Sequence, residues 1–550
     1  MATTYYDYII AGGGTAGCVI ASRLSSYKPE SSILLVEAGP KDDPRIRPSL
    51  GLVGQAANEI KWNIQSTPQD AMNGKTLDLV QGKVIGGTSS INHQVWIRGA
   101  AEDYNQWAEE VGDQRWSWDG MLPYFKECET FIPGPELEGK DLSSYRGFSG
   151  PITVSQTSSS GRPRRYPLRD AIANMYEAQG VSRVADINSG HHLGYAEHST
   201  SSYDGVRYWA GSNYTMGPNV SIMAETQVTK VVFEGNHAKG IECLSSTGEK
   251  SLISAKVEVI ISSGSLGSPK LLLLSGVGPT EELSKHGITQ VADLPVGQNY
   301  SDHAMLATFW HLEKNGLAMG DVEMRNEICD WTCGLPIDWL AFHRHDQDHT
   351  IQALAANDLS PIELERFKLP GRAHTESGIL YGHIDFTGKA GPPPSGSNIT
   401  IMTKIVTPSS RGSITLNSAD PLDPPVCNPN MLSTELDRKL LFAAVRLTAE
   451  GLEKSIAPEY GLRENNVEES LRGDYSDRAM KQRALSFART VNHGCGTCAM
   501  GTVVDAECRV KGTTGLRVVD TSIIPLPLSA HYQAPVYAVA EQAARMIANV

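Results

Sequence analysis

The pattern of apolar and polar residues at the N-terminus predicts a strand, a glycine turn and a helix. The apolar run Tyr6–Ala11 is followed by the glycine-rich stretch 12–17, Gly-Gly-Gly-Thr-Ala-Gly, and then by a helix-like segment, Cys18–Ser25. A second apolar strand, Ser32–Val36, ends at Glu37, about 20 residues beyond the last loop glycine. This order of strand, glycines, helix, strand and acid is typical of a Rossmann-like dinucleotide-binding unit.

Each residue type in this unit has a physical reason. Gly12, Gly14 and Gly17 allow a tight turn, bring bare backbone close to a pyrophosphate and let the helix pack on the strand. The carboxylate of Glu37 is placed to accept hydrogen bonds from the ribose of adenosine. The alternative is an ordinary tight turn between a strand and a helix.

Strand patterns of the same kind recur in the middle and at the end of the chain. Val257–Ile261 runs into a Ser-Ser-Gly turn, and Leu516–Val519 ends at Asp520. The intervening region differs, because stretches such as Ser397–Val406 and Gly412–Leu416 alternate between apolar and polar residues. This alternation predicts an antiparallel sheet with flanking helices, so we expect two interleaved domains.

Composition restricts the class of protein and of partner. The chain has 550 residues, enough for roughly two to four domain-sized units. Its net charge of -14 is spread along the chain, which argues against nucleic acid or an anionic membrane as a partner. The nine cysteines are sparse and lack the spacing of a disulfide framework, so we expect mostly reduced thiols. With no signal peptide or membrane-spanning run in the pattern, the expected location is cytoplasmic.

Two further segments carry a family resemblance. The stretch Gly82–Asn92, continued by Trp96, Gly99 and Asn105, closely resembles the first signature of the glucose-methanol-choline (GMC) flavoprotein oxidoreductases. The stretch Gly264–Gly278 resembles the second signature. Other segments similar to the family are 296–303, 408–412 and 516–525, so the resemblance spans nearly the whole chain.

The resemblance implies FAD as the bound nucleotide and a fold of α/β class. The implied fold pairs a Rossmann-like FAD-binding domain with an interleaved α+β substrate domain of antiparallel sheet backed by helices. We assign 1–155, 196–305 and 484–550 to the FAD domain, and 156–195 and 306–483 to the substrate domain. Pro-rich Gly391–Gly396 is expected to be an exposed loop.

Residues implied to contact the cofactor follow from position in the motifs. Glu37 should hold the adenosine ribose, Val228 should present its backbone to adenine, and Asp520 should bind near the ribityl and pyrophosphate groups. Some relatives carry a histidine covalently bound to the flavin where this chain has Ile91, so we predict noncovalent FAD. The full predicted set is Gly12, Gly14, Thr15, Ala16, Gly17, Glu37, Ala38, Gly86, Ser90, Asn92, Val228, Asp520 and Tyr532.

Two histidines near the C-terminus carry the predicted chemistry. His493 lies in Val491–Cys498, and His531 follows 38 residues later in Ser529–Pro535. His493 matches the general base of GMC alcohol oxidases, and His531 matches the second active-site residue of the family. A histidine there, continued as His-x-Gln-x-Pro-x-Tyr, most resembles the aryl-alcohol oxidase branch. Taken alone, a loop histidine is more often structural or exposed than catalytic.

The resemblance implies a specific reaction. A neutral imidazole, with an unperturbed pKa of about 6.5, accepts a hydroxyl proton at neutral pH. We therefore expect oxidation of a primary or activated (aryl or allylic) alcohol, with His493 as base, His531 positioning the oxygen, and hydride transfer to flavin N5. The electron acceptor would be O2 or a quinone, and the setting fungal secondary metabolism. No metal is expected.

Several alternatives remain open on the sequence. The family includes lyases and cyclases that keep FAD as structure, and a flavoprotein that only binds its ligand is a third class. His93 either contacts an acidic or phenolic substrate or packs away from the flavin. Cys495 and Cys498 are either structural thiols, which we favour, or a redox or zinc pair. Trp331, Trp339 and His343 are candidates for the substrate pocket, with burial in the core the favoured role of the tryptophans.

Overall fold

The structure is a computed structural model that describes residues 4–49, 58–320, 327–345, 347–383, 396–465 and 468–550. The predicted loop Gly391–Gly396 lies outside the described residues except for Gly396.

The described residues contain 23 strands: β1 (Thr4–Ala11), β2 (Ile33–Val36), β3 (Lys61–Gln65), β4 (Asp78–Gly82), β5 (Glu129–Ile132), β6 (Ile152–Gln156), β7 (Gly194–Glu197), β8 (Ser199–Thr200), β9 (Ser202–Tyr203), β10 (Val206–Arg207), β11 (Val220–Met223), β12 (Thr226–Glu234), β13 (His237–Ser245), β14 (Lys250–Ile261), β15 (Ala304–His311), β16 (Ile337–His343), β17 (Thr375–Leu380), β18 (Asn398–Ile405), β19 (Ser413–Thr415), β20 (Val426–Asn428), β21 (Arg463–Asn465), β22 (Ala488–Thr490) and β23 (Leu516–Val518).

The α-helices within the same ranges are α1 (Thr15–Tyr27), α2 (Thr88–Ile91), α3 (Ala101–Val111), α4 (Trp118–Cys128), α5 (Arg169–Ala178), α6 (Ala210–Asn213), α7 (Gly264–Leu274), α8 (Thr280–Lys285), α9 (His349–Asp358), α10 (Pro361–Phe367), α11 (Glu435–Gly451), α12 (Ala457–Tyr460), α13 (Asp477–Phe487) and α14 (Gln533–Ala548). Short 3-10 turns are Pro44–Ile46, Asn58–Ile60, Asp70–Met72, Gln114–Trp116, Thr157–Ser159, Glu469–Leu471 and Thr521–Ile523, and one π-helical turn is Leu452–Ile456.

The first large sheet is the predicted Rossmann-like unit. Its strand order is β11-β2-β1-β14-β13-β12, with β23 beside the C-terminal half of β14. The pairs β11–β2, β2–β1, β1–β14 and β14–β23 are parallel, whereas β12 and β13 add an antiparallel extension. Helices α1 and α14 pack against each other. Because β2 is buried along its whole length, it reads in the sequence as a continuous apolar run.

The second large sheet is antiparallel throughout, as predicted. Its order is β21-β15-β18-β17-β16-β7, with β22 paired to β15. Helix α11 packs on β15, β17 and β18. All eight residues of β18 are buried, so its polar side chains do not face solvent. They bond inside the protein instead, as when the Thr400 hydroxyl donates to the Gly382 carbonyl at 2.7 Å.

These two sheets confirm the fold class predicted from the resemblance. β7 and β22 also show how the chain interleaves, because both join the second sheet from segments outside 306–483. The strand β22 lies beyond the boundary proposed at 483, and β15 begins at Ala304 rather than after 305. The other limits of the five segments stay a prediction. No helix in the described ranges is both long and apolar enough to cross a membrane.

A buried cluster of charges holds the segment that follows α2. Glu129, at the start of β5, pairs with the guanidinium groups of Arg98 and Arg146, and the indole N–H of Trp96 donates to it at 3.0 Å. Arg146 also pairs with Asp186 at 2.7 Å. Since these charged side chains are at most 1% exposed, each charge depends on its partners rather than on water.

We predict that Glu129→Ala lowers the free energy of unfolding by about 3–5 kcal/mol, because it leaves two buried guanidinium groups short of a counter-charge. The measurement is urea unfolding followed by tryptophan fluorescence. The control is Glu450→Ala, which removes an exposed partner of Lys454 and should change stability by at most about 1 kcal/mol. Equal effects of the two substitutions would contradict the assigned role of Glu129.

Candidate active site

The glycine turn after β1 is shaped by close backbone contacts. Gly12 has a φ of +113°, and a Cβ on it would lie 2.4 Å from the carbonyl oxygen of Ser262. A Cβ on Gly17 would lie 2.0 Å from the carbonyl oxygen of Gly12. A Cβ on Gly14 would make only ordinary contacts, the nearest at 3.7 Å. Packing within the protein therefore requires glycine at 12 and 17, whereas a Cβ on Gly14, at the start of α1, would fit without a clash.

Glu37 is held in place at the end of β2. Its Oε2 accepts a hydrogen bond from the amide of Gly13, and its Oε1 accepts one from the amide of Gly39, both at 2.9 Å. Burial raises the pKa of Glu37 to about 7, although these amides and Lys83 oppose the shift. The carboxyl group is thus fixed beside the glycine turn, where the sequence places the adenosine ribose.

A cavity of about 500 Å³ runs from the glycine turn to the two predicted histidines. Its wall includes 13 of the predicted site residues: Gly12, Gly14, Thr15, Ala16, Glu37, Ala38, Asn92, His93, Val228, Asp520, His493, His531 and Tyr532. These residues come from widely separated parts of the chain. The fold therefore brings the predicted nucleotide end and the predicted chemical end into one space.

Three predicted residues, Gly17, Gly86 and Ser90, do not line this cavity. Gly17 packs under the turn, as described above. The amide of Gly86 donates to the Gly13 carbonyl at 2.8 Å, and the fully buried hydroxyl of Ser90 donates to the Ile85 carbonyl at 3.1 Å. These contacts are made within the protein, in the layer of residues behind the cavity wall.

Asn92 and Asp520 line the cavity with side chains that are already hydrogen-bonded within the protein. Asn92 Oδ1 accepts from the amide of Gln94 and from Arg207, both at 2.9 Å. Asp520 Oδ2 accepts from the amide of Gly264 at 2.9 Å, and its Oδ1 accepts from the amide of Ser522 at 2.8 Å. Burial raises the pKa of Asp520. Both side chains are therefore fixed before a ligand binds.

The two predicted catalytic histidines face each other at the other end of the cavity. The ring centroids of His493 and His531 are 4.8 Å apart, with an interplanar angle of 73°. His493 Nδ1 lies 3.0 Å from Nδ1 of His303, and its Nε2 has no hydrogen bond from the described residues. The amide of His493 donates to Asp302 at 2.9 Å. Within the described part of the chain, Nε2 of His493 is thus without a hydrogen-bond partner on a ring that is held in place.

His531 is held by an ion pair on the second sheet. Its Nε2 lies 2.9 and 3.2 Å from the two carboxylate oxygens of Glu376. Lys404 pairs with the same carboxylate and lies 3.3 Å from His531 Nε2. Glu376 and Lys404 are directly opposite each other on β17 and β18. The second large sheet therefore positions His531.

Burial keeps the imidazoles at this end neutral. The pKa of His493 is lowered well below its usual 6.5 by burial, and then by the nearby His531 and His303. Burial also lowers the pKa of His531, against the opposing effect of Glu376. The pKa of His303 falls to about 3 for the same main reason. A neutral imidazole is the form that can accept a proton.

Of the four remaining candidates for the substrate pocket, one lines the cavity and three do not. His93 lines the cavity, and burial and nearby cations lower its pKa to about 4. Trp331 and Trp339 are 2% and 4% exposed in an apolar cluster and do not line the cavity. His343 also lies off the cavity wall, and its Nε2 is 3.0 Å from the Ser377 hydroxyl. The tryptophans thus have the core role that the sequence favoured.

Cys495 and Cys498 are buried thiols without a disulfide partner, as are the other seven cysteines. Burial raises the pKa of Cys495 to about 12 and raises that of Cys498 as well. Cys495 Sγ lies 3.3 Å from the Tyr532 hydroxyl. No group of three or more potential metal ligands occurs in the described part of the chain. These contacts fit structural thiols.

Comparison with protein families decides the classification. The GMC oxidoreductase family model matches residues 6–305 with its N-terminal part and residues 408–540 with its C-terminal part. The chain is a GMC oxidoreductase.

Relatives of this GMC oxidoreductase match it from end to end. The GMC-type oxidoreductase acuG of Aspergillus aculeatus is 33% identical over 548 residues, covering 98% of this chain and 99% of that protein. A solved Aspergillus oryzae formate oxidase variant, studied for its FAD modification, has a TM-score of 0.89 at 29% identity and covers 100% and 98% of the two chains. A solved fungal aryl-alcohol oxidase has a TM-score of 0.83 at 25% identity and covers 99% of each chain.

FAD is the cofactor of this GMC oxidoreductase, and the cavity fits it. A dinucleotide needs bare backbone beside its phosphates, and Gly12 and Gly14 line the wall there. The fixed carboxylates of Glu37 and Asp520 stand at separate points along the same wall. Ile91 also lines the cavity, and its aliphatic side chain offers no atom for a covalent bond. The FAD is therefore held noncovalently.

Sequence reasoning did not find Glu376 or Lys404 as site residues. They lie in a buried strand pair whose pattern predicts only a sheet, and no local motif marks them. His303 was within a segment similar to the family, next to Asp302, but its contact with His493 spans 190 residues. An Asp-His pair directly before an apolar strand was the one available signal.

We predict that Gly17→Ala destabilises the apoprotein and abolishes FAD retention, because the new Cβ meets the Gly12 carbonyl at 2.0 Å. Urea unfolding and the flavin absorbance that remains after gel filtration measure the two effects. Gly14→Ala is the matched control: its Cβ makes only ordinary contacts with the protein, so the unfolding midpoint of the apoprotein should not change. Normal stability of Gly17→Ala would show that the turn adjusts freely.

Proposed function

We propose that this GMC oxidoreductase oxidises a primary or activated (aryl or allylic) alcohol to the carbonyl compound, with His493 as general base. The observation that carries the proposal is the placement of two buried imidazoles, with ring centroids 4.8 Å apart, at the end of the cavity whose other end is the nucleotide-binding turn. The likeness to an aryl-alcohol oxidase structure supports the substrate class. We propose O2 or a quinone as the electron acceptor.

The proposed roles follow from the hydrogen bonds of the two rings. Nδ1 of His493 lies 3.0 Å from Nδ1 of His303, and we assign the shared proton to His493, which leaves its Nε2 with the lone pair that accepts the hydroxyl proton. Nε2 of His531 donates to Glu376, so its Nδ1 is the nitrogen available to orient the substrate oxygen. Bound FAD supplies the acceptor for the hydride that leaves the carbinol carbon.

Burial at this end contributes in two ways. It keeps the base in its neutral form, and it strengthens the hydrogen bonds that hold the alcohol oxygen while negative charge develops there. After proton transfer, His493 is an imidazolium beside the buried Glu376–Lys404 pair. The positive charge on that ring would assist electron transfer to O2, because the first product of that transfer is the superoxide anion.

The wider setting is also proposed. The nine unpaired thiols fit a reducing compartment, so we propose that the enzyme is cytoplasmic. We propose a role in fungal secondary metabolism, supported by the similarity to chains from Aspergillus.

The test is anaerobic mixing of the purified holoenzyme with aryl, allylic and aliphatic alcohols, followed at the flavin absorbance near 450 nm, about where oxidised flavins absorb. We expect bleaching by an aryl or allylic alcohol, and His493→Ala should slow it by about 100-fold or more while retaining FAD. His531→Asn should cost less, because asparagine still orients an oxygen. Admitting air after bleaching distinguishes an oxidase from a dehydrogenase.

The control for these variants is His349→Ala, which removes an exposed histidine at the start of α9 and should leave bleaching unchanged. No alcohol would bleach the flavin if the enzyme were a nonredox lyase or cyclase. In that case His493 would still be needed for a cleavage or cyclisation that leaves the flavin oxidised. Near-normal bleaching by His493→Ala would remove this residue from the mechanism.

The lowered pKa of His493 predicts the pH profile. The neutral imidazole is the active form, and a pKa well below 6.5 means that protonation sets in only at more acidic pH. We therefore expect the rate constant for flavin reduction to stay constant from pH 8 down through 6.5. Stopped-flow reduction across that range is the measurement. A loss of rate with an apparent pKa of about 6.5 would show that burial does not control the base.

A further inference from the structure

The reaction described above assigns no substrate contact to the cationic side chains at the histidine end of the cavity. Lys404 and Arg489 both line this end, next to His93, His493 and His531. The two carboxylate residues on the described wall of the whole cavity are Glu37 and Asp520, which lie toward the nucleotide. Burial and the positive charges of Arg489, Arg207 and Lys404 lower the pKa of His93. The charged side chains on the described wall of this end are therefore cationic, while the Glu376 carboxylate that pairs with Lys404 is not part of that wall.

Lys404 has more donors than the protein satisfies. An ammonium group carries three N–H donors and no acceptor. The Lys404 side chain is 7% exposed, and its ion pair with Glu376 uses one donor. The other nearby polar atom, His531 Nε2 at 3.3 Å, itself faces both oxygens of Glu376 and so carries the proton toward that carboxylate. Two donors of a buried ammonium thus have no acceptor among the described residues.

The walls around Lys404 restrict the kind of ligand. Apolar side chains from the second sheet and its neighbouring loop, Met305, Leu335, Ile337, Leu340 and Met402, line the same cavity. A ligand that fits these surroundings has an apolar body and at least one strong acceptor oxygen. A carboxylate satisfies two N–H donors at once, through its two oxygens.

We propose that Lys404 is the anchor of an anion subsite that binds a carboxylate on the substrate, so that the substrate class is an aryl alcohol carrying a carboxylate. This inference rests on the proposed function for the alcohol and on the Lys404 contacts for the acid. Glu376 holds both the anchor and His531, so the carboxylate and the reacting oxygen are positioned from one ion pair. Arg489 adds positive charge to the same end of the cavity.

The first experiment uses ligands that cannot react. Benzoate and its neutral counterpart benzamide are titrated into the holoenzyme in a buffer free of carboxylates, and the change in flavin absorbance reports binding. We expect the dissociation constant of benzoate to be lower by about tenfold or more. Equal affinities of the two ligands in the unaltered enzyme would overturn the subsite, and this result does not depend on any variant.

The second experiment assigns the effect to Lys404. Lys404→Met should raise the dissociation constant of benzoate to near that of benzamide, and Lys404→Arg, which keeps the charge, should restore the preference. Lys454→Met removes an exposed lysine of the same type and should leave both constants unchanged. A benzoate preference that survives Lys404→Met would overturn the assignment.

The third experiment separates the subsite from the proposed function. Anaerobic bleaching by meta- and para-(hydroxymethyl)benzoate is compared with bleaching by their methyl esters. We expect the acids to reduce the flavin faster, and Lys404→Met to lower the ratio of acid to ester rates by about tenfold. If benzoate binds through Lys404 but neither acids nor esters bleach the flavin, the anion subsite stands and the proposed alcohol oxidation fails.

Discussion

The carbonyl oxygen of Ser262 occupies the space that a side chain on Gly12 would need, and this close approach brings the ends of β1 and β14 together. The amide of Ser262 donates to the Ala11 carbonyl at 2.8 Å, and the amide of Val519 donates to the Ile261 carbonyl at 2.9 Å. Three strands therefore end at one edge of the first sheet. Glu37 and Asp520, two carboxylates on the cavity wall, lie at that edge because parallel strands share their carboxyl ends.

The part of the site that depends on this edge was predictable from sequence, because its signals are local. A glycine turn or an acidic residue directly after an apolar run marks the carboxyl end of a strand. Glu37, Gly264 and Asp520 each come after such a run. The antiparallel character of the second sheet was also predictable from alternation. The complete burial of β18 was not, because the partners that cover its polar face come from distant segments and leave no periodic signal in the strand itself.

The histidine end shows the opposite situation. His493 and His531 could be named only through a family motif, and the residues that hold them could not be named at all. Glu376 and Lys404 are neighbours across two strands but 28 residues apart in the chain. Ordinary sheet periodicity treats them as two polar positions. Their importance depends on burial and on the approach of His531, both of which are properties of the tertiary structure.

The pairing of β15 with β22 sets where the histidines stand. Ala304 lies opposite Thr490. His303 directly precedes β15 and His493 comes soon after β22, so both histidines lie at the same end of this strand pair. The amide of Val491 extends the ladder by donating to the His303 carbonyl. A shift of one residue in a strand pair turns every side chain to the opposite face. A single-residue insertion or deletion between Thr490 and His493 would thus act as a change of active-site geometry, whereas the same change in a surface loop would be a change of length alone. Within this family, we expect sequence alignments of that short segment to contain no gaps.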